Sequence, residues 1–80
     1  MAERILITGG ARRLGLALAR AMLAAGHRVA VHTRMTEPPA GLDAVVLQGD
    51  LDDPSVPARI VGEAHERLGG LSVLVHQAPR

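Results

Sequence analysis

The run Ile5-Leu6-Ile7-Thr8-Gly9-Gly10-Ala11-Arg12-Arg13-Leu14-Gly15-Leu16 decides how this chain is read. It opens with a short aliphatic stretch of the kind that forms a strand buried on both faces. A glycine-rich turn follows, and an apolar pattern at helical spacing starts at Leu14. A tight strand-to-helix turn of this sort lets the backbone approach a pyrophosphate. The helix start then offers free N–H groups and a positive dipole to the anion. Gly9 and Gly10 serve the turn, and Gly15 lets the helix pack close to the strand. The same glycines also suit a tight turn with no ligand. Context favours the anion, because the turn follows the first strand, opens a helix and stands at the chain start.

Working outward, four aliphatic runs read as strands: Ile5 to Thr8, Arg28 to His32, Ala44 to Gln48 and Leu71 to His76. A first helix is expected over Leu14 to Ala25, with Leu14, Leu18, Ala21, Met22 and Ala25 as its apolar face and Gly26 as its stop. A second is expected from about Pro54 to Leu68, capped by Asp53, with Pro54 in its first position. Its expected apolar face is Pro57, Ile60, Val61, Ala64 and Leu68, Glu63 and Arg67 form an exposed pair, and Gly69-Gly70 ends it. Thr33 to Leu42, with Pro38, Pro39 and Gly41, reads as a loop or a very short helix. The order β-α-β-loop-β-α-β predicts an α/β fold with a parallel sheet. Right-handed crossovers give it the strand order 3-2-1-4. This is the N-terminal part of a Rossmann-type doubly wound sheet, so residues 1–80 are expected to be a partial dinucleotide-binding domain.

Composition narrows the function. At 48% hydrophobic the chain is globular, and with no Phe, Tyr or Trp its core must be aliphatic. There is no Cys, hence no disulfide or thiolate chemistry. The net charge is only +1 and no aromatic stacks bases, which argues against nucleic acid. The apolar stretch from Leu14 to Ala25 is interrupted by Arg20 and falls short of the ~20 residues of a membrane span. A cytoplasmic protein is the default expectation. His27, His32, His65 and His76 show no metal-ligand spacing; His27 and His65 read as surface residues and His32 as a strand end.

Thr8-Gly9 followed by Gly15 resembles the Thr-Gly-x-x-x-Gly-x-Gly signature of the short-chain dehydrogenase/reductase family. The family's middle glycine is Arg13 here. In that respect Thr8 to Ala19 resembles the pteridine-reductase and dihydromonapterin-reductase branch almost throughout. The resemblance implies that Thr8, Gly9, Gly10, Leu14 and Gly15 line the cofactor. It also implies that Arg13, with Arg12 as a second candidate, approaches the cofactor phosphates and a pterin substrate. Without a ligand, two cations at a helix start oppose its dipole by about 0.3–1 kcal/mol each.

In NAD-binding domains an acidic residue about 20 positions past the turn accepts the ribose 2′-hydroxyl, whereas NADP-binding ones place a cation nearby. The second strand ends His32-Thr33-Arg34, with no acid before Glu37. Arg34 can fork onto a 2′-phosphate and Thr33 can add a hydroxyl, so NADP(H) is the expected cofactor. Asp50-Leu51 matches the family's adenine contact, although Asp50 also suits a turn. At the fourth strand's end, His76 and Ala78 fit the His-Asn-Ala-Ser variant of the pterin branch, whereas Gln77 and Pro79 depart from it. By resemblance the backbone of Gln77 and Ala78 lies against the ribose, and Pro79 removes an N–H there.

The family's acid–base pair is a tyrosine and a lysine four residues on, helped by a serine; this chain has neither Tyr nor Lys. No catalytic residue and no metal ligand is expected in it. Ser55 reads as a surface residue and Ser72 as a strand residue. The chain is thus expected to be the cofactor-binding front of a homo-oligomeric reductase, whose whole protein moves hydride from NADPH to a carbonyl or dihydropterin-type substrate. The alternatives are a stand-alone NADP(H) or nucleotide module without chemistry, and a partner-binding remnant using the edge of the sheet.

Overall fold

A computed structural model describes residues 2–9, 13–35 and 37–76. The elements run β1 (Arg4–Thr8), α1 (Arg13–Ala24), β2 (Arg28–Thr33), β3 (Val45–Gln48), α2 (Val56–Leu68) and β4 (Val73–His76). All pairings are parallel and the strand order is β3-β2-β1-β4, as the alternation of strands and helices predicts. Ile5 pairs with Val29 and Val73, and Thr8 with His32 and His76, so the strand ends align along one edge.

Because strand side chains alternate, the sheet has two apolar faces and each takes a helix. Leu6, Ala30 and Leu47 pack under Val56, Ile60, Ala64 and Leu68 of α2. The spacing of four along α2 puts those residues on a single stripe. Ile5, Ile7, Val29 and Val31 form the other face and pack against Ala19, Leu18, Met22 and Leu23 of α1. Burying a side chain such as Ile60 contributes about 1.5–3 kcal/mol.

The apolar faces of both helices include the expected Leu18, Met22, Ile60, Ala64 and Leu68 but differ at other positions. On α1 the buried residues are Gly15 and Ala19, while Leu14 is 68% exposed and Ala21 and Ala25 are also exposed. Small residues let α1 approach the sheet closely, and that approach turns Leu14 outward. On α2 Val56 is buried in place of Pro57 and Val61, both exposed, because the helix starts later than expected. Asp53 does not cap it, and Pro54 precedes it. The Asp53 carboxylate instead accepts the backbone N–H of Ser55 at 2.9 Å and its hydroxyl at 2.8 Å, closing a local turn. Ser55 is the N-cap residue and Pro57 lies in the first turn. Glu63 pairs with Arg59 at 3.0 Å rather than with Arg67, one turn earlier on the same face.

Gly69 ends α2 at φ 77°, a left-handed conformation that glycine adopts without a Cβ clash, and Gly26 likewise follows α1. The third strand starts at Val45 and β4 at Val73, so Ala44 and Leu71 lie just outside the ladder, and β2 extends to Thr33. The described residues between Thr33 and Leu42 contain no helix. On the outer strand, Leu74 is 54% exposed while its ladder partner Leu6 is fully buried.

Candidate nucleotide-binding site

The candidate site lies along the C-terminal edge of the sheet. The chain steps from β1 outward to β2 and β3, then returns to the other side of β1 as β4. The crevice between β1 and β4 is therefore a topological switch point, where open α/β sheets receive ligands. Thr8 ends β1 there, and its Oγ1 lies 2.9 Å from Nδ1 of His76 at the end of β4. Gly9 continues at φ 70°, a turn that a side chain would strain. The helix that follows has no acidic residue in its first turn, so no carboxylate offsets its positive end.

Arg13 opens α1 with φ 46°, the one non-glycine residue with positive φ among those described, and its side chain faces solvent. Gly15 is buried where α1 meets the sheet. These two positions correspond to the last two glycines of the sequence signature, and the backbone at Arg13 keeps a conformation that favours glycine.

The β2 side of the edge is tied together by His32, which is 5% exposed. Its Nε2 donates to the Gly49 carbonyl at 2.7 Å, and its Nδ1 accepts the Gly9 N–H at 3.4 Å. A carbonyl can only accept, so the ring is protonated at Nε2 and carries its lone pair on Nδ1. Thr33 is buried, and its carbonyl accepts the Gly49 N–H at 3.1 Å. Arg59 reaches back from α2 to the Gln48 carbonyl at 2.8 Å.

Arg34 projects into solvent just past β2, with Nη2 3.5 Å from Oδ2 of Asp50. Both side chains are largely exposed, so the pair contributes only about 0–1 kcal/mol. The other Asp50 oxygen accepts the Asp52 N–H at 2.9 Å, which orients the carboxylate. Leu51 is half-buried against the α2 core cluster. At the end of this loop, the two hydrogen bonds from Ser55, helped by Arg59, hold the Asp53 carboxyl below its ordinary pKa.

Of the residues expected at the site, Thr8, Gly9, Arg13, Leu14, Gly15, Thr33, Arg34, Asp50 and Leu51 fall on this edge or directly behind it. Gly10, Arg12, Gln77 and Ala78 lie outside the described residues. Leu14 faces solvent beside the turn. His32 and Arg59 carry roles that pattern reading did not assign. A strongly polar side chain inside the aliphatic run Arg28 to Thr33 was the available signal, since a buried imidazole requires partners. A concavity of about 490 Å³ opens at the opposite edge, between the end of α1 and the turn before β3, lined by Arg20, Leu23, His27, Leu42 and Asp43 among others. It shares no residue with the glycine turn. No described helix is long and apolar enough to cross a membrane, and no described group of three His, Cys, Asp or Glu is arranged to hold a metal.

Comparison with known proteins places this geometry. The family model for short chain dehydrogenases matches residues 3–80. The chain belongs to the short-chain dehydrogenase family. It is 37% identical over 78 residues to the 3-oxoacyl-[acyl-carrier-protein] reductase MabA of Mycobacterium tuberculosis, covering 98% of this chain and 31% of MabA. The TT0495 protein of Thermus thermophilus matches with a TM-score of 0.88 and 44% identity, over 100% of this chain and 34% of that one. An NADH-dependent reductase complexed with NAD matches with a TM-score of 0.81 and 25% identity, over 91% of this chain and 34% of the other. This short-chain dehydrogenase sequence thus spans about a third of the length of such relatives. The names of these relatives lend no support to the pterin-reducing branch that the Arg12-Arg13 run resembles.

Proposed function

We propose that this chain is the NADP(H)-binding N-terminal part of a short-chain dehydrogenase/reductase whose whole protein transfers hydride from NADPH to a carbonyl-type substrate. The observation that carries the proposal is the Thr8-Gly9 turn, which runs into the uncompensated N-terminus of α1 at the switch point of the sheet. There the helix end and Arg13 would hold the pyrophosphate. Asp50 and Leu51 would bound the adenine, Arg34 and Thr33 would take the 2′-phosphate, and Gln77 and Ala78 would follow the ribose. The nicotinamide, when bound, supplies the hydride. With no Tyr or Lys in the chain, the proton falls to residues of the whole protein outside it. The carbonyl reading agrees with the 3-oxoacyl name of MabA. A dihydropterin-type substrate is the second reading, favoured by Arg13. A full-length enzyme that oxidises NADPH with 3-oxoacyl thioesters or ketones but not with dihydropterins decides for the first.

Cofactor choice rests on Arg34 and is tested by calorimetric titration of the chain with NADP+ and NAD+. Charge-assisted hydrogen bonds to a phosphate contribute about 1.5–3 kcal/mol, and releasing the exposed Asp50 pair costs about 0–1 kcal/mol. The net of about 0.5–3 kcal/mol makes NADP+ bind about two- to 150-fold more tightly than NAD+, and Arg34→Leu is expected to remove most of that difference. Equal constants in the unmodified chain, or tighter NAD+, would refute the assignment.

A further inference from the structure

The ring of His32 joins the two loops that flank the adenosine side of the proposed site. It stands in register with Thr8 on β1 and Leu47 on β3, one position short of the end of β2. Its side chain follows Ala30 on the α2 face, so the layer beneath it is the aliphatic row of Leu6 and Ala30. A leucine or valine would continue that packing without hydrogen-bond demands. The imidazole instead accepts the Gly9 N–H, the first amide of the glycine turn, and donates its Nε2–H to the carbonyl of Gly49, the residue before Asp50. Both partners are backbone groups, and each belongs to a different loop.

We infer that His32, as its Nε2-protonated tautomer, is a positioning residue of the nucleotide site, fixing the glycine turn against the β3–α2 loop so that pyrophosphate and adenine contacts are set at one spacing. The inference rests on the nucleotide-binding reading above and adds to it. It also gives Gly9 a definite part: its N–H is committed to His32, so Gly9 shapes the turn and leaves phosphate contact to donors further along. The link is central in the sheet and joins two loops, whereas on the β4 side Thr8 and His76 join two strand ends.

Two partial replacements separate the bonds. In Asn the polar atoms are two bonds from Cβ, as Nδ1 is in His, so His32→Asn keeps an acceptor for Gly9. In Gln they are three bonds away, as Nε2 is, so His32→Gln keeps a donor for Gly49. His32→Leu fills the space and serves neither. In the full 80-residue chain, long-range ¹⁵N–¹H correlation of the His32 ring is expected to show a protonated Nε2 and a bare Nδ1. Amide exchange at Gly9 is expected to stay slow in His32→Asn and to quicken in His32→Gln and His32→Leu. NADP+ affinity, measured alongside far-ultraviolet circular dichroism to confirm folding, is expected to fall about tenfold in His32→Leu, which loses both hydrogen bonds, and less in the other two, which lose one each. A ring protonated at Nδ1, or unchanged NADP+ affinity in a folded His32→Leu, overturns the positioning role. An unmodified chain that shows the expected tautomer and exchange but does not bind NADP+ overturns the nucleotide reading on which the role depends.

Discussion

Replacing Arg13 with glycine should make this protein more stable and a poorer binder of its cofactor. Arg13 has φ 46° at the first position of α1, where a side chain on Cβ crowds the following carbonyl. That conformation costs a non-glycine residue about 1–2 kcal/mol. Glycine removes the clash but loses more freedom on folding, which returns about 0.5–1 kcal/mol. Removing a cation from the positive end of a helix adds back about 0.3–1 kcal/mol. The side chain is exposed, so little packing is lost with it. The balance is about 1 kcal/mol in favour of Arg13→Gly. For a domain of this size that is a rise in Tm of about 4–8 °C. Arg13→Ala is the control, because it removes the charge yet keeps the Cβ, and should recover about half of the gain. Thermal melts followed by circular dichroism measure both, and titration with NADP+ should show weaker binding by each variant. A Tm for Arg13→Gly at or below that of the unmodified chain would refute the strain assignment. Equal gains from glycine and alanine would assign the whole effect to charge.

The other expectations concern packing and pH. A Cβ at Gly49 would stand 2.6 Å from Cγ1 of buried Val56 and 2.7 Å from Arg59, and Arg59 can swing away while Val56 cannot. Gly49→Ala should therefore cost about 1–3 kcal/mol in urea denaturation, and adding Arg59→Ala should not restore it. Ile60→Ala should cost about 2–5 kcal/mol, whereas Val61→Ala, one position along the same helix and exposed, should stay within about 0.5 kcal/mol; the reverse ranking would invalidate the α2 face described above. The Asp53 carboxyl is held below its ordinary pKa by Ser55 and Arg59, so the fold lowers it relative to the unfolded chain. Its contribution is present above the unfolded value of about 3.9 and disappears as pH falls through the folded value. The urea midpoint of Asp53→Asn should accordingly vary less with pH below about 4.5 than that of the unmodified chain, and parallel curves would show that Ser55 does not stabilise the charged carboxylate.

The layout of this domain was readable because it depends on local signals. Aliphatic runs bounded by Gly, Asp and Pro mark strands, and the alternation with helices makes the sheet parallel and orders it. The helix faces were partly readable: Leu18 and Met22 of α1 pack on the sheet as their spacing predicts, but the fully buried residues there are Gly15 and Ala19, which carry almost no hydrophobic signal, while the larger Leu14 is turned away. On α2 the Asp53-Pro54 pair looks like a helix start, but the Ser55 donors claim the Asp53 carboxylate first, and the buried stripe moves to Val56. In the candidate site, the glycine turn and Arg34 are proposed from signals within their own segments. The roles of His32 could not be read that way, since its partners are 23 and 17 residues away and meet it only through the strand register.

That register also makes the two sides of the crevice unequal. From β1 through β3 the edge is cross-linked by His32 to Gly9 and Gly49, by Thr33 to Gly49, and by Arg59 to Gln48, all through backbone groups that the ladder itself leaves free. These bonds hold the glycine turn and the β3–α2 loop in place without a ligand, which would reduce the ordering cost of binding one there. On the other side β4 offers His76 to Thr8 and leaves Leu74 more than half exposed beside a fully buried Leu6. An apolar edge strand of this kind is normally covered or paired. Among the described residues, the β2–β3 side of the proposed site is therefore the more heavily cross-linked, whereas the β4 side presents an exposed apolar strand.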